Sequence, residues 1–184
     1  MKKFEEKLKP VRALNTRQSK QGRRAYTVKD GNNLIIGNEF SFMTLETTEA
    51  IENLTDNEIL KSSVLKFIDQ YLTDFDNLFV INTKELTDAL LYIKKYSKSY
   101  IILKADADNL TIVSSDKSKI VSIKTKQNSD FNTKEINLNA NVFLPFLKTF
   151  KNFECEKIEL CFKGDKITIK NGNNKALICG IRTY

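Results

Sequence analysis

The 184-residue sequence predicts an α+β protein built from a repeated strand–helix–three-strand (βαβββ) unit, with helices on one face of antiparallel sheets. Two stretches share one order: a helix with apolar residues at helical spacing, then strands joined by a short polar turn. Leu86 and Leu110 lie 24 positions apart, as do Phe143 and Ile167. The offset between the copies is 57 residues, which is typical of one supersecondary unit used twice.

The N-terminal residues 2–14 are predicted to form a short helix. Phe4, Leu8 and Val11 share one stripe of this segment, and lysines surround the stripe. Pro10 is expected to kink or end the regular part, because proline lacks the N–H that a helix interior needs.

The next segment, residues 15–24, is polar and has no acidic residue, so we expect a loop. It is either a solvated loop or one that contacts nucleic-acid phosphates, since a mobile cationic segment can follow a phosphate backbone without reading bases. Its cations are Arg17, Lys20, Arg23 and Arg24.

Three strands and a helix are expected before residue 77. Residues 25–28 and 34–36 flank a Gly/Asn turn suited to a hairpin, and residues 38–46 alternate well enough for a third strand. A helix is predicted from about Asn57 to Tyr71. We interpret residues 1–77 as a degenerate or partial copy of the unit, and residues 78–184 as a domain with two full copies.

The two clear copies have matching helix starts. Asn82 is predicted to cap the first helix, with Glu85 completing a capping-box-like arrangement, and Asn139 or Asn141 caps the second. Pro145 is expected near the first turn of the second helix, where a missing N–H costs least. The predicted strands are 78–81, 100–104, 110–113 and 120–124 in the first copy, and 135–138, 159–162, 167–170 and 176–184 in the second.

Composition narrows the function classes. The chain has no histidine, which excludes histidine-based acid–base catalysis and His-containing zinc sites. Its three cysteines form no CxxC pair, and its N-terminus lacks the apolar segment of a secretion signal, so we expect a cytoplasmic protein with reduced thiols. No apolar run is long enough to span a membrane. The net charge of +7 is compatible with a polyanion partner.

The repeated unit resembles the DNA sliding clamps, the polymerase processivity factors of bacteria, phages and eukaryotes. Three segments carry the resemblance. Asp108-Asn-Leu-Thr-Ile-Val-Ser-Ser-Asp116 is similar to the bacterial D-x-L-x-L-x-A-T-D hairpin, and Asn139-Ala-Asn-Val-Phe-Leu-Pro-Phe-Leu147 to the N-A-x-Y-L-L-D-x-L helix start. Ala176-Leu-Ile-Cys-Gly-Ile-Arg182 is similar to the closing V-x-M-P-M-R run.

The resemblance implies a DNA-clamp fold with curved sheets, and a phage-like or mobile-element clamp that encircles double-stranded DNA as a homo-oligomer. It implies DNA polymerase and clamp-loader partners, bound by short peptide motifs at a pocket that includes Cys179, Gly180, Ile181 and Arg182. It implies no enzyme activity, cofactor, metal or membrane partner. The cations implied to line the ring are Lys7, Arg12, Lys84, Lys94, Lys95, Lys98, Lys148 and Lys151.

Two other functions stay open at this stage. One is a clamp-like adaptor that forms no ring and binds polymerase or transcription machinery. The other is a small nucleic-acid-binding module that acts through the segment from Arg17 to Arg24. An enzyme is the least favoured class, because the turn carboxylates Asp106, Asp108 and Asp116 are typical of turn caps, and the glycines form no phosphate-binding loop.

Overall fold

The architecture comes from a computed structural model of the chain. It describes residues 3–51, 54–55, 62–66, 70, 72, 78–106, 108–127 and 134–181.

Helix α1 spans Phe4–Lys20 and is longer than the sequence pattern predicts. Pro10 lies inside this helix and does not end it. The helix continues to Lys20, so the predicted end at residue 14 is wrong. The loop predicted for residues 15–24 is also wrong up to Lys20.

Tertiary contacts explain the longer helix. The side chains of Asn15 and Gln18 are buried against the first strands. The Asn15 amide donates to the Tyr26 carbonyl at 3.1 Å, and the Asn38 amide donates to the Gln18 side-chain oxygen. These buried hydrogen bonds hold the last turns of α1 in place. The polar composition of the segment predicts a loop because it gives no sign of these long-range contacts.

Three antiparallel strands follow α1: β1 (Ala25–Asp30), β2 (Asn33–Asn38) and β3 (Ser41–Glu46). They confirm the predicted hairpin and third strand. The turn between β1 and β2 contains Gly31 at φ +56°, a backbone conformation that favours glycine. Residues 62–66 are α-helical, as predicted, and the rest of the helix predicted from Asn57 to Tyr71 lies largely outside the described residues.

The two clear copies of the unit form as predicted. The first contains β4 (Leu78–Asn82), α2 (Thr83–Lys94), β5 (Ile101–Ala105), β6 (Asn109–Ser114) and β7 (Ile120–Lys124). The two-residue strand β8 (Lys126–Gln127) follows. The second contains β9 (Lys134–Leu138), α3 (Ala140–Asn152), β10 (Lys157–Lys163), β11 (Lys166–Asn171) and β12 (Asn174–Cys179).

Each copy gives its first strand to the other copy's sheet. Strand β4 pairs with β10, and β9 pairs with β5, all antiparallel. The result is an eight-stranded sheet in the order β1-β2-β3-β12-β11-β10-β4-β8 and a four-stranded sheet in the order β7-β6-β5-β9. Strand β3 pairs with β12, so the N-terminal hairpins extend the sheet of the second copy.

The helices cover one face of these sheets and share one core. That core includes Leu8 of α1, Leu90 of α2 and Phe146 of α3, all fully buried. A second cluster on the opposite face of the eight-stranded sheet joins Ile35 and Phe42 to Val64 and Leu72. Strands β2 and β3 are therefore buried on both faces.

Candidate nucleic-acid interface

The three long helices lie side by side, with α3 between α1 and α2. Thr83 at the start of α2 donates its backbone N–H to the Glu156 carbonyl, just after α3 ends. Lys7 near the start of α1 lies over the Phe153 ring, also just after α3. The start of α1 and the start of α2 therefore both lie at the end of α3, so α3 runs antiparallel to its two neighbours. We call the solvent side of this layer the helix face.

Helix α2 contributes one exposed stripe to the helix face. Lys84, Asp88, Leu91 and Lys95 are exposed, as the helical spacing predicts. Lys94 is half-buried at the margin of the stripe, and Lys98 is exposed just beyond the helix.

The middle helix, α3, is the least acidic of the three. It contains no Asp or Glu, and Lys148 and Lys151 are its exposed cations. Lys151 and Lys84 line one surface pocket of ≈ 360 Å³ where α2 begins and α3 ends, together with Glu154 and Glu156. Lys148 lies one turn nearer the middle of α3, which has no acidic residue to oppose its charge.

Two predicted cations on α1 are held by local contacts. The ammonium group of Lys7 is 5.2 Å from the centroid of the Phe153 ring. The Arg12 guanidinium donates to Glu5 at 2.9 Å, and this ion pair is partly buried. Lys20, in the last turn, is exposed.

Arg17 has a structural partner that sequence reasoning missed. Pro145 is predicted near the first turn of α3, and it is the sixth residue, in the second turn. Its missing N–H leaves the carbonyl of Asn141 without its helical donor. Arg17 donates to that carbonyl at 2.8 Å and so joins α1 to α3. A proline in the second turn of a helix, with a cationic segment elsewhere, could have suggested such a contact.

Arg23 and Arg24 lie beyond α1 and are exposed. The Arg23 guanidinium is 5.2 Å from the centroid of the Phe40 ring, which is 48% exposed. Phe40 also accepts a hydrogen bond at its carbonyl from the backbone N–H of Cys179. Arg23 therefore lies beside the predicted peptide pocket, and Phe40 is an apolar neighbour of it that sequence reasoning missed.

The predicted peptide-pocket residues cross from one sheet to the other. The backbone N–H of Gly180 donates to the Asp165 carbonyl at 2.7 Å, and that of Ile181 donates to the Asn137 carbonyl of β9 at 2.7 Å. A Cβ on Gly180 would lie 2.8 Å from the Asp165 carbonyl oxygen, so this close approach requires glycine. Ile181 is 36% exposed, and Arg182 lies outside the described residues.

The three thiols are free, and burial raises the pKa of Cys155 and of Cys179. In the described part of the chain no group of His, Cys, Asp or Glu could hold a metal ion. Across the same residues, every helix is too short or too polar to cross a lipid bilayer.

The turn carboxylates cap turns, as predicted. Asp106 accepts from the backbone N–H groups of Asp108 and Asn109. Asp116 accepts from the Ser114 hydroxyl and from both the N–H and the hydroxyl of Ser118, and these bonds lower its pKa to about 2.

We predict that the Arg17 contact depends on Pro145. Arg17→Ala should lower the free energy of unfolding by roughly 1–2 kcal/mol, because a carbonyl loses its charged donor. In a Pro145→Ala background the helix can supply its own donor, so the same substitution should cost less than half as much. Urea unfolding of the four proteins in this double-mutant cycle measures the coupling. Equal Arg17→Ala costs in both backgrounds would contradict this account.

Comparison with known proteins identifies the fold. No protein-family model matches the chain, and no curated protein matches it by sequence. The structure is similar to DNA polymerase III subunit beta from Borrelia burgdorferi, with a TM-score of 0.66 and 15% identity over 97% of this chain and 63% of that one. The same subunit from Pseudomonas aeruginosa gives a TM-score of 0.63 and 12% identity, over 87% of this chain and 58% of that one. The H. pylori beta clamp in complex with Diflunisal gives a TM-score of 0.52 and 17% identity, over 85% of this chain and 42% of that one.

The chain spans less than two thirds of the length of each of these clamps. The α+β architecture predicted from sequence is confirmed, and the resemblance to the sliding clamps is confirmed at the level of the fold. The chain adopts the DNA sliding-clamp fold.

Proposed function

We propose that the chain is a non-enzymatic, sliding-clamp-like processivity factor that holds duplex DNA against its helix face. The observation that carries this proposal is the layer of three helices, with lysines on its solvent side and an acid-free helix in the middle. The fold supports it, because the similar structures are subunits of DNA polymerase III.

The helix face suits binding without sequence readout. Its exposed cations, Lys84, Lys95 and Lys148, are long flexible side chains that attract phosphates by charge. Binding of this kind weakens steeply as salt rises, and it leaves the protein able to slide along the duplex. Asp88 lies within the α2 stripe, so we expect α3 to contribute more of the attraction than α2.

We propose that copies of the chain associate through β7, as in a phage-like or mobile-element clamp that encircles DNA. Among the described residues, β7 pairs with β6 alone, which leaves its other edge open to another strand. Ile120 at its start is 63% exposed. Two other edge strands are partly covered: Thr55 bonds to both backbone groups of Thr27 in β1, and Ile181 bonds to the Asn137 carbonyl of β9. The fourth edge is the short strand β8, which has two residues.

A polymerase or clamp-loader peptide would bind beside the predicted peptide pocket at residues 179–182. Phe40 and Ile181 are exposed apolar side chains near Cys179. The Phe40 carbonyl accepts from the Cys179 N–H, and Ile181 follows Cys179 by two residues. The Arg23 guanidinium lies over the Phe40 ring. The surface offers apolar anchors and a cation, which suits a short peptide with an aliphatic or aromatic side chain and an acidic residue.

The division into domains at residues 77 and 78, and the cytoplasmic location, remain predictions.

One observation favours a second function, a clamp-like adaptor that forms no ring. A ring needs two complementary edges on each copy, and the β1 edge is covered at Thr27 by Thr55. Under this alternative the helix face still contacts DNA, and the chain acts as a single copy that brings a partner protein to it.

We predict that the double charge reversal Lys95→Glu with Lys148→Glu weakens duplex DNA binding at least about tenfold at low salt. It should also reduce the salt dependence by roughly two phosphate contacts. Fluorescence anisotropy with a labelled duplex, repeated over a salt series, measures both. The matched control, Lys134→Glu with Lys157→Glu, makes the same charge change at exposed positions on the sheets and outside β7. If the two double variants lose affinity equally, only net charge matters and the helix face has no special role.

We predict that native mass spectrometry gives a defined multiple of the 21.2 kDa chain. Ile120→Asp should return the protein to a single chain, because a charge is placed at the open edge of β7. Leu54→Asp is the control, since Leu54 is 45% exposed next to Thr55, which covers β1. A single-chain mass for the unmodified protein, with duplex binding intact, would favour the adaptor over the ring.

A further inference from the structure

A second polar feature lies away from the helix face. A cavity of ≈ 640 Å³ opens between α1 and strands β1 and β2. Its α1 residues, among them Arg12, Thr16 and Ser19, recur at helical spacing on one side of the helix. Arg17 and Lys7, which reach α3, project from the opposite side. The cavity is therefore separate from the contacts that build the helix layer.

The lining of this cavity is cationic and rich in hydroxyl groups. Arg12 and Lys20 supply the charge, and the Glu5 carboxylate holds the Arg12 guanidinium at 2.9 Å. None of the described lining residues is Asp or Glu. Two cations match the acceptor oxygens of a phosphate group, while the hydroxyls of Thr16 and Tyr26 already donate to the backbone carbonyls of Arg12 and Asn38. The hydroxyl-bearing lining residues are Thr16, Ser19, Tyr26, Thr27 and Thr55.

A buried acceptor in the cavity wall has no donor. Asn15 is 8% exposed, and its amide N–H₂ donates to the Tyr26 carbonyl at 3.1 Å, which fixes the orientation of the side chain. Its carbonyl oxygen is buried and has no hydrogen-bond partner among the described residues. A buried acceptor without a donor is costly, so a ligand group that brought an N–H or O–H to this oxygen would be stabilised by it.

The remaining wall is apolar. Ala25, Ile36 and the ring of Tyr26 line it. Tyr26 donates its hydroxyl to the Asn38 carbonyl at 3.1 Å, and burial raises the pKa of this phenol, so the ring stays neutral and fixed. A planar, partly apolar group can lie against such a wall while its polar edge meets Asn15.

We propose that this cavity binds a phosphorylated nucleoside, with the phosphate between Arg12 and Lys20 and a base or sugar donor facing Asn15. The volume lies within the range of roughly 300–1,000 Å³ that is usual for small-molecule sites. The phosphorylated nucleoside has two sources: a free nucleotide or the phosphorylated end of a DNA strand. This site is additional to the duplex contact proposed for the helix face.

Isothermal titration calorimetry tests the site with deoxyadenosine monophosphate, deoxyadenosine and a 5′-phosphorylated hexanucleotide. We expect a phosphorylated probe to bind at least about tenfold more tightly than deoxyadenosine, because only it reaches the two cations. The monophosphate binding alone identifies a free nucleotide, and the hexanucleotide binding alone identifies a strand end; either result supports the site.

Thr16→Leu and Ser19→Leu fill the cavity without changing charge, and each should weaken the phosphorylated probe at least about tenfold. Ala13→Leu is the matched control, since Ala13 is exposed on α1 and does not line the cavity. Duplex binding should be unchanged in all three variants, which separates this site from the helix face. Circular dichroism confirms that each variant is folded.

The proposal is overturned if no phosphorylated probe binds, or if deoxyadenosine binds as tightly as its monophosphate. It is also overturned if both cavity-filling variants bind like Ala13→Leu. The Lys95→Glu with Lys148→Glu variant tests duplex binding at the helix face. Neither outcome of that experiment changes the interpretation of the calorimetry at the cavity.

Discussion

The exchange of first strands between the two copies of the unit determines the rest of the structure. Strand β4 leaves its own hairpins and pairs with β10, while β9 pairs with β5. Each helix must therefore connect one sheet to the other, and the two connections run in opposite directions. This brings α2 and α3 together antiparallel over a common core, with their polar sides turned to the same solvent region.

The N-terminal part joins this body at two places. Strand β3 pairs with β12, which extends the sheet, and Arg17 bonds to the carbonyl that Pro145 leaves free, which extends the helix layer. The second contact places α1 beside α3. Arg17 is therefore partly occupied by a structural hydrogen bond, as Lys7 is by the Phe153 ring and Arg12 by Glu5.

The sequence predicts much of this fold because its local signals agree with one another. The caps at Asn82 and Asn139 and the alternation of the strands all point to the same elements, and both caps accept the expected backbone hydrogen bonds. The end of α1 could not be predicted, because it depends on buried polar contacts of Asn15 and Gln18 with distant strands.

The candidate site shows the same division between local and distant information. Helical spacing predicts the exposure of Lys84 and Lys95, which is a local property. The partner of Arg17, 124 residues away in sequence, and the covering of β1 by Thr55 are long-range contacts that no spacing rule contains. The cavity beside α1 was missed for the same reason, since its walls come from α1, two strands and Thr55.

Site-specific photo-crosslinking tests the central claim most directly. A photoreactive amino acid at position 148 lies on α3 in the helix face, and one at position 122 lies exposed on β7, away from the core. The account predicts that a bound duplex crosslinks from position 148 and not from position 122. Crosslinking from position 122 with none from position 148 would place DNA on the sheets and contradict the account.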